Sequence, residues 1–245
     1  MDVIVGANAI REVLKKRNLR GSILYLLADG KGKSRELEAI AANCTGLSVV
    51  RTDARKLREF SENHKGAVLV CRSQSLLGNR TTTVKDYLRN NAEKQSGLVL
   101  ILDSISDPQN LGSIIRTSDC FRVDLVVVAK NNAAGISSTV YSISQGALEY
   151  VNVAESTNIV RDIEELKKCG YWVYASDIKG KDIYSVDFDS KTAIVMGKEG
   201  SGLRRLVAEN CDMAVTIPIK GHLDSLNVSV AAGVVLSEFR RKRGY

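Results

Sequence analysis

Cysteine pairs at metal-ligand spacing are missing from this 245-residue chain, and so is any apolar run near the roughly 20 residues that cross a bilayer. Cys44, Cys71, Cys120, Cys169 and Cys211 lie far apart with no CxxC among them, and only His64 and His222 could join them as ligands. Neither a zinc site nor a disulfide framework is expected, and no metal. The opening MDVIVGANAIREVLKKR lacks the charged, apolar and small-residue order of a signal peptide, so a soluble cytoplasmic protein with no membrane partner is expected. Gly30-Lys31-Gly32-Lys33-Ser34 ends like a phosphate loop, but GxxxxGK[ST] requires glycine where Leu27 stands, which argues against nucleotide hydrolysis. No GxGxxG follows the first strand of either half and no GxSxG occurs, so an ordinary dinucleotide-binding unit and a serine hydrolase elbow lack support.

What is present is enough apolar residue, 44%, for one or two domains with full cores, together with a lopsided charge. Residues 1–95 carry 18 basic and 10 acidic side chains, whereas the remainder carries 17 and 18. Such an excess draws phosphate backbones by counterion release, and a basic surface kept for solubility is the alternative. Residues 1–72 read as a small α/β unit: an amphipathic helix at 8–17, strands at Ile23–Leu27, Leu47–Val50 and Ala67–Cys71, a helix from Ser34 and a short one after Asp53. Polar residues 73–95 read as a linker. Residues 96–245 carry the apolar runs LVLILD, DLVVVAK, YWVYAS, TAIVMG and MAVTIPI, which predict a parallel α/β sheet covered on both faces.

Three stretches follow strands of that second half, where open α/β sheets place ligands. In DPQNLGSIIR the spacing predicts a helix from near Leu111 capped by Asn110, with Arg116 inside it; a cap and a surface arginine are the alternative reading. In MGKEGSGL three glycines, Gly197, Gly200 and Gly202, permit close approach to a ligand, and Glu199 reads as a cap or a ligand contact. In IPIKGHLDSLNVSVA a polar loop precedes a helix opened by Ser225-Leu226-Asn227, for Ser225 and Asn227 a helix cap is the alternative reading, and His222 reads as a loop residue. The chain's two prolines, Pro108 and Pro218, shape the first and third of these loops.

Taken in order and spacing, the three stretches resemble the motifs of the SpoU (TrmH-like) 2′-O-ribose RNA methyltransferases over residues 96–245. GANAIREVL and His64-Lys65-Gly66 resemble the RlmB-like subgroup, whose members methylate a guanosine ribose of large-subunit ribosomal RNA. The resemblance implies a SPOUT-type parallel sheet with a deep C-terminal trefoil knot, S-adenosylmethionine as cofactor, and a homodimer. It also implies a preceding RNA-binding domain similar to ribosomal protein L30e-like folds. Carried over by position, the catalytic residues are Asn110, Arg116, Glu199, Ser225 and Asn227, and the cofactor contacts are Gly197, Ile217 and Leu226, made chiefly through the main chain. Arg116 is expected to hold an RNA phosphate, since a guanidinium does not give up its proton readily enough to act as a base. Tyr141 and Gln145 depart from the small or basic residues the resemblance leads one to expect, and are expected to alter RNA contact. Arg240-Arg241-Lys242-Arg243 could serve a partner subunit, RNA or the dipole of its own helix. The implied function is ribosomal RNA ribose methylation; a transfer-RNA methyltransferase and a non-enzymatic RNA-binding protein are the alternatives.

Overall fold

The computed structural model describes residues 2–30, 32–72, 81–131 and 133–244. They divide into two compact units, one drawn from Met1–Gly78 and Ile136–Tyr150, the other from Asn79–Gly135 and Val151–Tyr245.

In the first unit β1 (Asp2–Val5), β2 (Ile23–Leu27), β3 (Ser48–Thr52) and β4 (Ala67–Cys71) form a sheet in the order β1-β4-β2-β3. α1 (Ala7–Lys16), α2 (Lys33–Ala41) and α3 (Ala54–Arg58) connect them, and Asp53 caps α3 by accepting from the Lys56 amide. β1 is an addition to the sequence reading; its four residues are too short to show a period. β4, AVLVC, is buried along its whole length between β1 and β2, both antiparallel to it. Residues 136–150 complete this unit. Their helix packs on β1, and the fully buried Tyr141 donates its hydroxyl to Glu149. The Glu149 carboxylate also meets the Arg17 guanidinium at 2.7 Å, with both side chains almost wholly out of solvent. Tyr141 is therefore a core residue rather than an RNA contact, while Gln145 accepts from the Asn8 amide at 3.0 Å.

The second unit is a seven-stranded sheet with every neighbouring pair parallel. Its strands are β5 (Thr81–Thr82), β6 (Gly97–Leu102), β7 (Leu125–Ala129), β8 (Val153–Ser156), β9 (Trp172–Asp182), β10 (Lys191–Met196) and β11 (Met213–Thr216), in the order β11-β9-β10-β6-β7-β8-β5. The helices are α4 (Val84–Asn90), α5 (Pro108–Cys120), α7 (Ile159–Lys168), α8 (Arg205–Glu209) and α9 (Val228–Arg243); α6 (Ser138–Ile143) belongs to the first unit. β6 and β7 are buried at every residue because helices cover both faces, which is why their sequences run apolar without alternation. Val99, Ile101, Val127 and Val195 pack with Tyr87 of α4 and Ile163 and Leu166 of α7. On the other face Tyr174, Phe188 and Phe239 of α9 stack edge to face at 5.0 and 5.6 Å.

Of the stretch read as a linker, 73–80 lies outside the described residues; beyond it β5 pairs with β8, and α4 sends Val84, Tyr87 and Leu88 into the core. β9 runs past the predicted YWVYAS because the register against β11 shifts between Ala214 and Val215, which leaves residues 176–180 unpaired on that side. Gly180 is required at the rejoining point: a Cβ there would stand 2.4 Å from the Val215 main chain. From β6 the chain adds β7 and β8 on one side and returns to place β10 on the other, so the strand order reverses between β6 and β10, and it is at the carboxyl ends of strands at such a reversal that open α/β sheets bind ligands.

Candidate active site

Three loops leave that end of the sheet. The first follows β6. Asp103 is fully buried there and Ser104 takes a φ of 65°, after which Asp107 caps α5 by accepting from the Gln109 amide at 2.9 Å. Pro108 occupies the first helical position, where its missing N–H costs nothing. The cap is thus Asp107 and not Asn110: the Asp-Pro pair supplies both cap and first helical residue, so the helix starts three residues earlier than Leu111. Asn110 is left in the first turn with its side chain free to turn outward. Arg116 lies further along α5, exposed and, among the described residues, without a hydrogen bond or ion pair.

The second loop follows β10. Lys198 and Gly202 exchange main-chain hydrogen bonds at 3.1 and 2.8 Å, closing a tight turn with Glu199 at its exposed tip. Gly197 can carry no side chain, since a Cβ would stand 2.3 Å from the Gly202 carbonyl carbon; Gly200 and Gly202 hold φ of 81° and 67°. The turn is pinned from beneath. Asp103 accepts from the Arg204 amide at 2.9 Å and from its Nε at 2.7 Å, so a buried carboxylate at the end of β6 fixes where the glycine loop rejoins. Asp103 ends the run LVLILD, and the sequence alone gives it no role. A charged residue closing a run of six buried apolar ones was the available signal; Arg204 gave none.

The third loop follows β11. Ile217 is half-buried, Ser225 is exposed without a side-chain hydrogen bond, and Ile219, Leu223 and Leu226 present apolar side chains outward, Leu223 at 78%. Asn227 then caps α9 as predicted, its Oδ1 accepting from the Ser229 amide at 3.0 Å and the Ser229 hydroxyl at 2.6 Å. Its Nδ2 donates to Asn110 Oδ1 at 3.0 Å and to Glu199 Oε2 at 3.4 Å. One amide therefore joins all three loops. The Glu199 carboxylate also lies by the positive end of α9, an arrangement worth about 0.3–1 kcal/mol.

The structure thus brings Asn110, Glu199 and Asn227 together, and it displays Arg116 on the helix that carries Asn110. Gly197, Ile217 and Leu226 stand at the ends of β10 and β11 and just before α9. Among the described residues no group of His, Cys, Asp and Glu could hold a metal. The four basic side chains in the last turn of α9 each have a partner within the chain. Arg240 bonds the carbonyls at the end of α5, Arg241 pairs with Glu238, Lys242 reaches Asp187 at 3.6 Å, and Arg243 donates to the Phe188 carbonyl.

The SpoU rRNA Methylase family matches residues 97–237. A 23S rRNA (guanosine-2′-O-)-methyltransferase RlmB of Neisseria meningitidis is 39% identical over 248 residues, covering 98% of this chain and 95% of that one. An uncharacterized tRNA/rRNA methyltransferase of Borreliella burgdorferi is 37% identical over 216 residues, covering 86% and 94%. In fold, the chain resembles the SpoU methyltransferase AviRb of Streptomyces viridochromogenes, solved in complex with AdoMet, with a TM-score of 0.74 at 21% identity over 98% of this chain and 89% of the other.

Proposed function

Because the chain belongs to the SpoU rRNA methylase family, we propose that it is an RNA methyltransferase that methylates a ribose 2′-hydroxyl, of a guanosine, in large-subunit ribosomal RNA. The observation that carries this reading is the meeting of Asn110, Glu199 and Asn227 from three separated motifs at one amide. The guanosine and the ribosomal substrate rest on the RlmB relative and on the basic excess of residues 1–95.

S-adenosylmethionine fits the site. The exposed Ile219, Leu223 and Leu226 offer apolar surface to an adenosyl group, and the glycine turn brings main-chain groups to its edge. Gly197, Ile217 and Leu226 would hold it, and when bound it supplies an electrophilic methyl group. Arg116 holds an RNA phosphate beside the reacting ribose and stabilises negative charge developing on the 2′-oxygen by charge-assisted hydrogen bonds. Asn110, Asn227 and Ser225 orient loop and ribose, and Glu199 fixes the Asn227 amide. Residues 1–72, completed by 136–150, form the L30e-like RNA-substrate-binding domain; 73–95 leads out of it and gives α4 to the second unit; and 96–245, apart from 136–150, form a methyltransferase domain knotted at its C-terminal end. The outward Leu206 and Val230 suit a homodimer, and the protein works in the cytoplasm.

The test is transfer of labelled methyl from S-adenosylmethionine to unmodified ribosomal RNA and, separately, transfer RNA, followed by nucleoside analysis. Label in 2′-O-methylguanosine of large-subunit RNA is expected. Label in transfer RNA alone moves the substrate and keeps the chemistry, whereas cofactor-free RNA binding without transfer favours a non-enzymatic binder. Arg116→Lys, which keeps the charge and loses the fork, is expected to slow transfer about 100-fold; parental activity in that variant overturns the role given to Arg116.

A further inference from the structure

The helix that carries Asn110 and Arg116 ends in an unusual way. The Val123 amide donates to the Ser118 carbonyl at 2.8 Å and the Arg122 amide to the Asp119 carbonyl at 3.0 Å, which closes α5 in a Schellman turn. The turn requires a left-handed residue, and that residue is Arg122, at φ 49°, where glycine is the usual occupant. A side chain in that conformation persists where neighbouring structure holds it. Here the holder is Arg240 of α9: its Nε donates to the Phe121 carbonyl at 2.7 Å and its Nη2 to the Arg122 carbonyl at 2.6 Å. One guanidinium fork thus takes both carbonyls at the strained corner, a bridge that a lysine ammonium cannot reproduce.

At the opposite end of the same two helices, the Asn227 amide at the start of α9 bonds Asn110 in the first turn of α5. The helices run side by side in the same sense and are tied at both ends. Arg116 sits between the ties, five residues before Phe121. Among the described residues its side chain has no hydrogen bond or ion pair, so the placement of α5 is what fixes where the side chain starts.

The geometry points to Arg240 as a positioning residue for methyl transfer: by locking the end of α5 to α9 it sets how Arg116 is presented relative to Asn110, Glu199 and Asn227. This rests on the function proposed above. It acts on the reacting geometry and not on cofactor affinity, because it touches none of Gly197, Ile217 or Leu226.

The experiment compares the parent with Arg240→Gln, Arg240→Lys and the double variant Arg122→Gly/Arg240→Gln. It measures kcat and KM for transfer from S-adenosylmethionine to an unmodified large-subunit ribosomal RNA transcript, alongside melting temperature. Arg240→Gln is expected to lose about ten- to a hundredfold in kcat, the range a displacement near 1 Å produces, with KM for S-adenosylmethionine unchanged within about twofold. Arg240→Lys is expected to lie between. Glycine at 122 relieves the left-handed strain, so the double variant is expected to regain melting temperature and not kcat. A kcat in Arg240→Gln within about twofold of the parent overturns the proposal. So does recovery of kcat together with melting temperature in the double variant, since Arg240 would then serve stability alone. If Arg240→Gln does not fold, the double variant decides by the same criterion. A parent that methylates no RNA overturns the function and with it this role, whereas an active parent beside an equally active Arg240→Gln overturns the role alone.

Discussion

Asn227 does two jobs with two atoms, and they can be separated. Its Oδ1 caps α9, and its Nδ2 joins Asn110 to Glu199. Asn227→Asp keeps a capping oxygen and sets a second carboxylate against Glu199, so thermal stability is expected near the parental value while methyl transfer falls about 100-fold or more. Asn227→Ala is expected to lose the cap as well, about 1 kcal/mol in chemical unfolding. An Asn227→Asp enzyme as fast as the parent contradicts the bridging role. Sequence reasoning held both readings of this residue, cap and site, because asparagine serves either, and only coordinates show that the two faces of one amide are both used. It misplaced Asn110, because Asp107 and Pro108 together make the stronger helix start. Cysteine chemistry is another residue-scale outcome. Burial pushes the Cys211 thiol up to about 12 and the Cys71 thiol up to about 11, so both stay protonated near neutral pH, while Cys120 and Cys169 are exposed. A mild alkylating reagent followed by peptide mass spectrometry is expected to mark Cys120 and Cys169 in the native protein and Cys71 and Cys211 only after unfolding.

Between residue and molecule, the site depends on what holds its loops to the sheet. Asp103 reaches from the end of β6 to both the amide and the guanidinium of Arg204, so the glycine turn that displays Glu199 is fastened at its far end. Asp103→Asn removes the charge from a fully buried acceptor and is expected to cost about 1.5–3 kcal/mol in denaturant unfolding. The same variant is expected to speed amide exchange across 198–203. Exchange unchanged there would mean the turn holds itself. The strands that carry these loops were legible because burial on both faces forces a run of apolar residues, as in GLVLIL and LVVVA. α4 and β5 were not, since they follow a polar stretch that masks their start, and the extension of β9 was not, because its register shift follows from contact with β11, distant in sequence.

On the scale of the whole molecule, sequence order and spatial order part company. Residues 136–150 are preceded and followed by strands of the second unit, yet they close the core of the first through Tyr141, Glu149 and Arg17. Nothing in their composition announces this, since a buried tyrosine, glutamate and arginine look like surface residues until their partners are known. Glu149→Gln leaves the Arg17 guanidinium buried opposite a neutral group and is expected to cost about 3 kcal/mol or more in the unfolding of the first unit. A denaturation midpoint equal to the parent's would show that the pair contributes no net stability. The charge asymmetry was readable by counting, but the return of the chain was not. It has a consequence for inheritance. A gene segment ending near residue 72 would encode the basic half without Tyr141 and Glu149, so this unit cannot be cut out, transplanted or lost as one uninterrupted block. Its history is tied to that of the enzyme-like half through fifteen residues lodged in the middle of the other's coding sequence.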